Sequence, residues 1–261
     1  MAVNLNLGIG AVEVVSDPGK FDRRSGNLLE RVLFNQRGII LFACALITAF
    51  LGFQASKIVV NASYEGMMPV SHPHIRNFLE NRDHLRGLGN IVRIVVENTQ
   101  GDIFDAAYLD KLAKINDTVY LIRGVDRAWL KSLWTPLVRW TEVTEEGFTG
   151  GPVMPKRYDG SHESIEQVRI NVQRAGLVGS LVSNDLHSSM IVVPLLERYP
   201  DTKEPINYRE LSRLLEEKVR VNEDGKTRVY IVGFAKVVGD LIDGLFKVMS
   251  FFMVAAFTAA L

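Results

Sequence analysis

Residues 38–56 read GIILFACALITAFLGFQAS, and none of them is an acidic or basic residue. A membrane-spanning helix needs about 20 predominantly apolar residues, a length that this run reaches by itself. The run therefore predicts a helix that crosses a membrane. Cys44, inside it, is the single cysteine of the chain. The rest of the fold must therefore depend on ordinary core burial rather than on disulfides or thiolate metal ligands.

A second run without charged residues, 248–261, supplies roughly two thirds of a membrane-spanning helix. The segment between the two runs carries most of the charged residues and has the composition of an extramembrane domain. We expect the chain to be a piece of a larger membrane protein. The predicted organisation is a transmembrane helix over 38–56, an extramembrane domain over 57–236 that forms one body or two (57–135 and 136–236), and the start of a second transmembrane helix over 237–261.

Basic residues flank the first run unequally. Lys57 closely follows it, whereas five basic residues precede it: Lys20, Arg23, Arg24, Arg31 and Arg37. Because basic residues beside a span stay in the cytoplasm, we expect the N-terminus inside and the large domain outside. A cleaved signal peptide is the alternative, but the run begins late and lacks a clear cleavage site.

The N-terminal region divides into two predicted parts. Residues 1–20 are rich in glycine and contain Pro18, which indicates a flexible cytoplasmic tail. Between 21 and 37, apolar residues recur at helical spacing opposite basic ones and predict an amphipathic cytoplasmic helix. This helix either lies on the inner leaflet or packs against other parts of a membrane domain.

The extramembrane domain begins with a β-α-β rhythm. The β-branched stretch 91–96 predicts a strand, Asp105 is placed to cap a helix, and 125–133 suits a returning strand. A polar interval rich in glycine and proline follows over 136–160, and it is either a hairpin or a mobile loop.

The rhythm then resumes. Ser164 and Gln167 have capping-box spacing at the start of a helix, and 190–193 predicts a buried strand. Asn207 is placed to cap a further helix, and 226–232 is the last predicted strand. Two βαβ-type units with split pairing indicate an α+β fold, with a ferredoxin-like sandwich as the extramembrane domain.

Few patterns in the sequence point to chemistry. The formal net charge is zero and no basic patch with interleaved aromatics occurs, so no nucleic-acid partner is expected. The glycine-rich stretch 147–151 lacks the Lys and Ser/Thr of a phosphate loop, and no nucleophile-elbow motif is present. We therefore predict no enzyme, no catalytic residue and no cofactor.

Two passages resemble a known superfamily. Residues 64–73, YEGMMPVSHP, are similar to the segment that follows the first span in RND-superfamily exporters, and residues 232–240, VGFAKVVGD, are similar to their lead into the second span. The chain most resembles the MMPL-like branch of predicted exporters, which is related to members that handle hydrophobes, hopanoids and sterols. The resemblance covers roughly residues 20 to 261, about the first third of such a protein.

This resemblance implies a bacterial inner-membrane protein with two repeats of six spans, each with a large porter-type loop after its first span. The loops take substrate from the membrane or the periplasm, and proton entry through carboxylates in the middle spans drives export. Those spans are not in this sequence, so no residue here is assigned to the proton relay. The implied partners are membrane lipid, the remaining membrane domain of the transporter, other subunits of an oligomer, and an accessory periplasmic protein.

One group of charged residues lies at the predicted membrane boundary. Asp240, Asp243 and Lys247 share one helical face, and Asp243 can pair with Lys247. They either begin a charged path toward the membrane or form the water-exposed shoulder of a helix that enters lipid only at Val248. The second interpretation is favoured because charges beside a span usually reach to the interface.

Two further groups are candidate binding residues. One group is aromatic and could line an apolar cleft for hydrophobic substrates, although single aromatics are more often core or interface residues. The residues of this group are Trp129, Trp134, Trp140 and Phe148. The other group consists of Met67, Met68, His72 and His74. Their thioethers and imidazoles suit soft metals. The neighbouring prolines indicate an extended connector, however, and we predict no metal site.

Three functions remain open from the sequence. The first is substrate handling in a proton-driven exporter of hydrophobic or lipid-like molecules. The second is a docking module of a transport complex, and the third is a two-span membrane sensor whose outer domain binds a ligand. The family resemblance favours the first.

Overall fold

The structure, a computed structural model, describes residues 36–55, 57, 64–81, 84–85 and 89–260. The predicted tail over 1–20 lies outside these residues, as does the predicted amphipathic helix over 21–37 apart from its last two positions. The described part is a mixed α+β structure with two long apolar helices and small antiparallel sheets. The α+β prediction is therefore confirmed at that level.

Helices and strands follow one another along the chain, largely in the order that the sequence predicts from residue 91 onward; the helix Pro73–Asn81, which was not predicted, and the segment 125–133 are the exceptions. The helices are α1 (Arg37–Ala55), α2 (Pro73–Asn81), α3 (Ala106–Tyr120), α4 (His162–Arg174), α5 (Tyr208–Lys218) and α6 (Phe234–Ala260). The strands are β1 (Ile91–Asn98), β2 (Arg139–Thr144), β3 (Gly147–Pro152), β4 (Ser188–Pro194) and β5 (Thr227–Gly233). α1 belongs to one compact unit, residues 1–59, and the other elements belong to a second, residues 60–261.

The helices α1 and α6 are long and apolar enough to cross a membrane. Most large side chains of α1 are exposed rather than packed into a core, as Leu41 shows with 69% of its surface accessible. α6 differs along its length, because Ala235, Lys236 and Ile242 are buried while residues 248–259 are exposed. The two helices fit association with a membrane by their length and composition.

A three-stranded antiparallel sheet in the order β4-β1-β5 forms the centre of the second unit. Val92, Ile94 and Val96 of β1 alternate onto one face and are fully buried, because successive side chains of a strand point to opposite faces. That face belongs to one apolar cluster, to which the helices contribute residues such as Leu112, Val168, Leu211 and Leu215. The strands predicted at 91–96, 190–193 and 226–232 are confirmed. We call residues 89–233 the α+β domain.

The returning strand predicted over 125–133 is wrong. Only Val125 and Lys131 make isolated bridges, to Leu195 and Val192, beside β4. Between them the chain winds into a short 3-10 helix, Arg127–Trp129. The segment thus touches the sheet at two points and turns away between them, so its apolar residues are buried without a continuous ladder.

Helix starts were predicted with mixed success. Asp105 caps α3 by accepting from the Tyr108 amide, and Asn207 caps α5 by accepting from the Glu210 amide, as predicted. The capping box at Ser164 is wrong: Ser161 is the cap, and its hydroxyl accepts from the Ser164 amide at 3.2 Å. The sequence offers two serines three residues apart, and only the first lies before the helix. The interval 136–160 contains the hairpin alternative, formed by β2 and β3.

The Tyr108 hydroxyl joins α3 to two strands of the sheet. It donates to the Val96 carbonyl at 2.8 Å and accepts from the Ser189 amide at 3.0 Å, with the Ser189 hydroxyl 2.6 Å away. The side chain is buried, and this burial raises the pKa of its phenol above the ordinary value.

We expect Tyr108→Phe to lower the free energy of unfolding by about 2 kcal/mol, because the change removes the bond to the Val96 carbonyl and leaves the buried Ser189 hydroxyl without the phenol as its partner. Urea unfolding of the detergent-solubilised chain, followed by tryptophan fluorescence, measures this, since all three tryptophans lie in the α+β domain. Tyr230→Phe is the control: its hydroxyl donates to Glu97 on the exposed side of the sheet, so little change is expected. Equal effects of the two substitutions would contradict the prediction.

Candidate functional site

The last strand of the sheet continues into the second apolar helix without a loop. β5 ends at Gly233 and α6 begins at Phe234. Gly233 has a φ of 157°, and a Cβ placed there would lie 2.6 Å from the Ile91 carbonyl oxygen and 2.9 Å from the Val92 Cα. Glycine is therefore the residue that lets β5 remain paired with β1 while the chain turns into the helix.

The first turns of α6 pack closely on α5. A Cβ at Gly239 would lie 2.3 Å from the Tyr208 carbonyl oxygen and 2.6 Å from the Ser212 Cβ. The absence of a side chain at Gly239 is what allows this approach. Polar contacts continue along the same line: Arg209 contacts Asp243, Ser212 contacts Asp240, and Glu216 contacts Lys236. Residue numbers rise along α5 as they fall along α6, so the two helices are antiparallel.

A nearly buried lysine lies at the centre of this junction. The Lys236 side chain is 6% exposed, and its ammonium group lies 2.9 Å from Glu216 Oε1 on α5 and 2.6 Å from Asp240 Oδ1 one turn along α6. The Ser212 hydroxyl donates to the same Asp240 oxygen at 2.5 Å. Arg220 pairs with Glu216 and donates to the Val229 carbonyl of β5 at 2.7 Å. The network thus connects α5, α6 and the last strand.

Glu216 keeps its charge within this network. Burial raises the pKa of its carboxyl, but hydrogen bonds from Arg220 and Lys236 outweigh that effect, and the net pKa lies below the ordinary value of 4.5. A group with a lowered folded pKa contributes stability that is fully present above its unfolded pKa and is lost as the pH falls through the folded pKa.

We therefore expect acid to weaken the junction below about pH 4.5, the ordinary value for glutamate. In a series of thermal melts from pH 7 to pH 3, the melting temperature of the wild type should fall faster below that value than the melting temperature of Glu216→Gln. The variant lacks the carboxylate that becomes protonated, so the difference between the two curves isolates this residue. Parallel curves over the whole range would contradict the expectation.

A second ion-pair group lies further along α6. Arg209 of α5 binds Asp243 Oδ1 through Nη2 at 2.9 Å and Nε at 3.1 Å, and Lys247 binds the other oxygen at 2.8 Å. The Arg209 guanidinium also stacks on the Phe246 ring, 4.6 Å from its centroid. The structure therefore divides the three charged residues predicted from the sequence, because Asp240 joins the Lys236 network while Asp243 and Lys247 form the predicted pair.

The sequence analysis did not single out several residues of this junction, among them Lys236, Arg209 and Glu216. Two spacings could have indicated them. Lys236 and Asp240 are four residues apart on one helix, and Arg209 and Glu216 lie on one face of α5, seven residues apart. The pairing between the helices depends on the fold and has no local signal.

An aromatic cluster lies beside the first residue of α6. The Phe234 ring makes edge contacts with Tyr208 and Tyr64, at centroid distances of 5.9 and 5.3 Å. The Tyr208 hydroxyl accepts from the Asn90 side chain at 2.9 Å and from the Tyr64 amide at 3.2 Å. Residues from the start of β1, the start of α5 and the segment before α2 thus meet where β5 becomes α6.

The four aromatics predicted for a cleft lie in different settings. Trp134 is half-buried, donates to the Leu109 carbonyl at 3.0 Å and contacts the Tyr158 ring. Trp140 and Phe148 belong to the β2–β3 hairpin, where the Arg174 guanidinium lies 5.2 Å from the Trp140 ring and Phe148 is 83% exposed. Trp129 lies in the 3-10 helix, 41% exposed. Among the described residues no ring contact joins any two of these four.

The methionine and histidine group lies before and within the first turn of α2. The His72 and His74 rings are 5.2 Å apart, Met67 is exposed and Met68 is half-buried. In the part of the chain that the structure describes, no group of three or more His, Cys, Asp or Glu residues is placed to hold a metal ion.

A groove of about 690 Å³ runs between α5 and α6 over the ion pairs. Its lining includes Gly239, Asp240, Asp243 and Lys247 of α6. No protein-family model matches the chain, and no curated protein does either.

Proposed function

We propose that this chain is the N-terminal part of a proton-motive-force-driven exporter of the RND type, which moves hydrophobic or lipid-like molecules across a bacterial inner membrane. In this proposal the α+β domain lies in the periplasm and handles substrate. The junction of β5 with α6 is the observation that carries the proposal. An exporter must transmit movement between its membrane part and its substrate-handling part, and a strand that continues directly into a membrane helix provides such a connection.

The ion pairs support the same role for the junction. Lys236 holds α5 and α6 together from a nearly buried position, and Arg220 extends the contact to β5. Because packed elements move as rigid bodies more readily than they deform, a tilt of α6 would be passed to α5 and to the sheet. The α+β domain would therefore follow the second span.

The strand arrangement supports a porter-type domain. The order β4-β1-β5 is antiparallel throughout, and the bridges of Val125 and Lys131 lie along the outer side of β4. A ferredoxin-like sandwich has this split βαβ order with a fourth strand in the outer position. We infer that residues 125–131 represent that strand in shortened form.

Cysteine labelling tests the orientation. Two single-cysteine variants are made in a Cys44→Ser background. Val143→Cys places the cysteine on the hairpin, where Val143 is 74% exposed. Ala2→Cys is the control, on the other side of the first span. A membrane-impermeant maleimide should label Val143→Cys in intact spheroplasts and Ala2→Cys only after lysis. The reverse pattern would place the α+β domain in the cytoplasm and would contradict the proposal.

Transport is tested with the complete gene product. Cells that express it should extrude the hydrophobic dye Nile red faster than cells with an empty vector, and a protonophore should abolish the difference. The reading frame after codon 261 should continue through further spans with buried carboxylates and a second similar domain. A frame that continues instead into a cytoplasmic signalling domain, with no dye efflux, would favour the two-span sensor.

A further inference from the structure

The groove between α5 and α6 has the size of a ligand site. Its volume of about 690 Å³ lies within the range of roughly 300–1,000 Å³ that small-molecule sites occupy. One wall is α5, with Arg209, Glu210 and Arg213, and the other is α6, with Asp243 and Lys247. The proposed function uses the ion pairs beneath this groove but gives the groove itself no ligand.

The position of the groove along α6 indicates what could enter it. Lys247 is the last charged residue of the helix, and the apolar side chains that follow, such as Met249 and Phe251, are more than half exposed. If α6 crosses the membrane, as the proposed function requires, Lys247 lies at the level of the lipid headgroups. The N-terminal turn of α5 lies at the same level, because the helices are antiparallel and Arg209 pairs with Asp243.

The basic side chains at this end of the groove have N–H groups that their ion pairs do not fully use. Asp243 is shared by Arg209 and Lys247, so this group retains one net positive charge. Arg213 is 65% exposed and its only ion pair among the described residues, with Glu217, is long, at 3.6 Å. Arginine and lysine donors that face a headgroup region are suited to a phosphate.

The groove also offers a carboxylate. Glu210 lines it and makes no salt bridge with a described residue, since its favourable charge interaction with Arg123 acts over a longer distance. Over the whole lining there are five acidic and three basic side chains. This excess of acidic groups disfavours a headgroup that carries only negative charge, whereas a headgroup with both a phosphate and an ammonium group would find partners for each.

We propose that the groove between α5 and α6 binds the headgroup of a phospholipid that carries a phosphate and a primary ammonium group, such as phosphatidylethanolamine. The phosphate binds Arg213 and Lys247, and the ammonium group donates to Glu210. A choline headgroup has no N–H to donate, so it loses the second interaction. The inference rests on the proposed membrane position of α6, but not on transport.

Native mass spectrometry of the full chain in detergent micelles tests this binding, with phosphatidylethanolamine, phosphatidylcholine and phosphatidylglycerol as the added lipids. We expect phosphatidylethanolamine to bind about tenfold more tightly than either of the others, the effect of one charge-assisted hydrogen bond. Arg213→Gln should weaken its binding by about tenfold, and Glu210→Gln should remove the preference over phosphatidylcholine. Both residues are on the surface of α5, so the fold should persist.

Arg198→Gln is the matched control, since Arg198 is an exposed arginine of the same domain outside the groove. It should bind all three lipids as the wild type does. Equal binding of the three lipids by the wild type, or equal losses in Arg213→Gln and Arg198→Gln, would overturn the inference and leave the exporter proposal standing. Absence of dye efflux with the lipid preference intact would instead count against the exporter alone.

Discussion

Replacing Gly239 by alanine is expected to lower the free energy of unfolding by about 3 kcal/mol, the upper end of the usual cost of overpacking. The new Cβ would lie 2.3 Å from the Tyr208 carbonyl oxygen, far inside van der Waals contact. A backbone atom cannot rotate away as a side chain can, so α5 and α6 must separate. Separation lengthens the contacts of Lys236 with Glu216 and of Ser212 with Asp240. The loss of stability therefore includes these contacts as well as the steric clash itself.

Gly244→Ala is the matched control, because a Cβ at Gly244 would have no atom within 4 Å. Alanine in a helix is more favourable than glycine by roughly 0.5–1 kcal/mol, so this variant should be slightly more stable than the wild type. Urea unfolding of the two variants in the same detergent, with tryptophan fluorescence as the signal, compares them. The prediction is that the two substitutions have opposite signs, and a stabilising effect of Gly239→Ala would refute it.

The second large effect concerns the nearly buried lysine. The double variant Glu216→Gln with Asp240→Asn is expected to be about 3 kcal/mol less stable than the wild type, because it leaves the Lys236 ammonium buried without a carboxylate. The value lies at the lower end of the range for broken buried pairs. Both carboxylates are partly exposed, at 36% and 55%, so solvent already reduces what each contributes.

Adding Lys236→Met to the double variant should restore most of the stability. Methionine fills a similar volume and carries no charge, and replacing a whole buried ion pair by apolar groups is often neutral. Lys236→Met alone should cost less than the double variant, because the two carboxylates that it leaves can be hydrated. If the triple variant were no more stable than the double one, the loss would come from side-chain shape and not from the unpaired charge.

The sequence predicted those parts of the fold that depend on neighbouring residues. β1 was recognisable because its β-branched residues lie between turn residues, and Asp105 and Asn207 were recognisable as caps because a cap bonds to an amide only three residues on. The returning strand at 125–133 failed because pairing with β4 is decided by long-range packing, which buries Leu130 and Leu133 while the chain winds between two bridges.

The candidate site was only partly predictable for a related reason. A helix that begins in a domain and ends as an apolar run has no sequence signal at the point where the domain stops. The predicted boundary at 236–237 therefore fell inside the ion-pair network, between Lys236 and its partner Asp240. Arg209 and Glu216 lie on another helix, and nothing near them in the sequence shows that they face α6.

The register of β5 would set the depth of α6 if that helix crosses a bilayer as proposed. Val229 and Ile231 point into the core, while Tyr230 and Val232 point outward. A slip of one residue against β1 would exchange these faces and place the core side chains in water. Because α6 starts at the residue directly after the end of β5, it cannot slide along its axis without such a slip. If α6 crosses a membrane as proposed, a bilayer of different thickness would be matched by a change of tilt, with the vertical position of the helix held by the sheet.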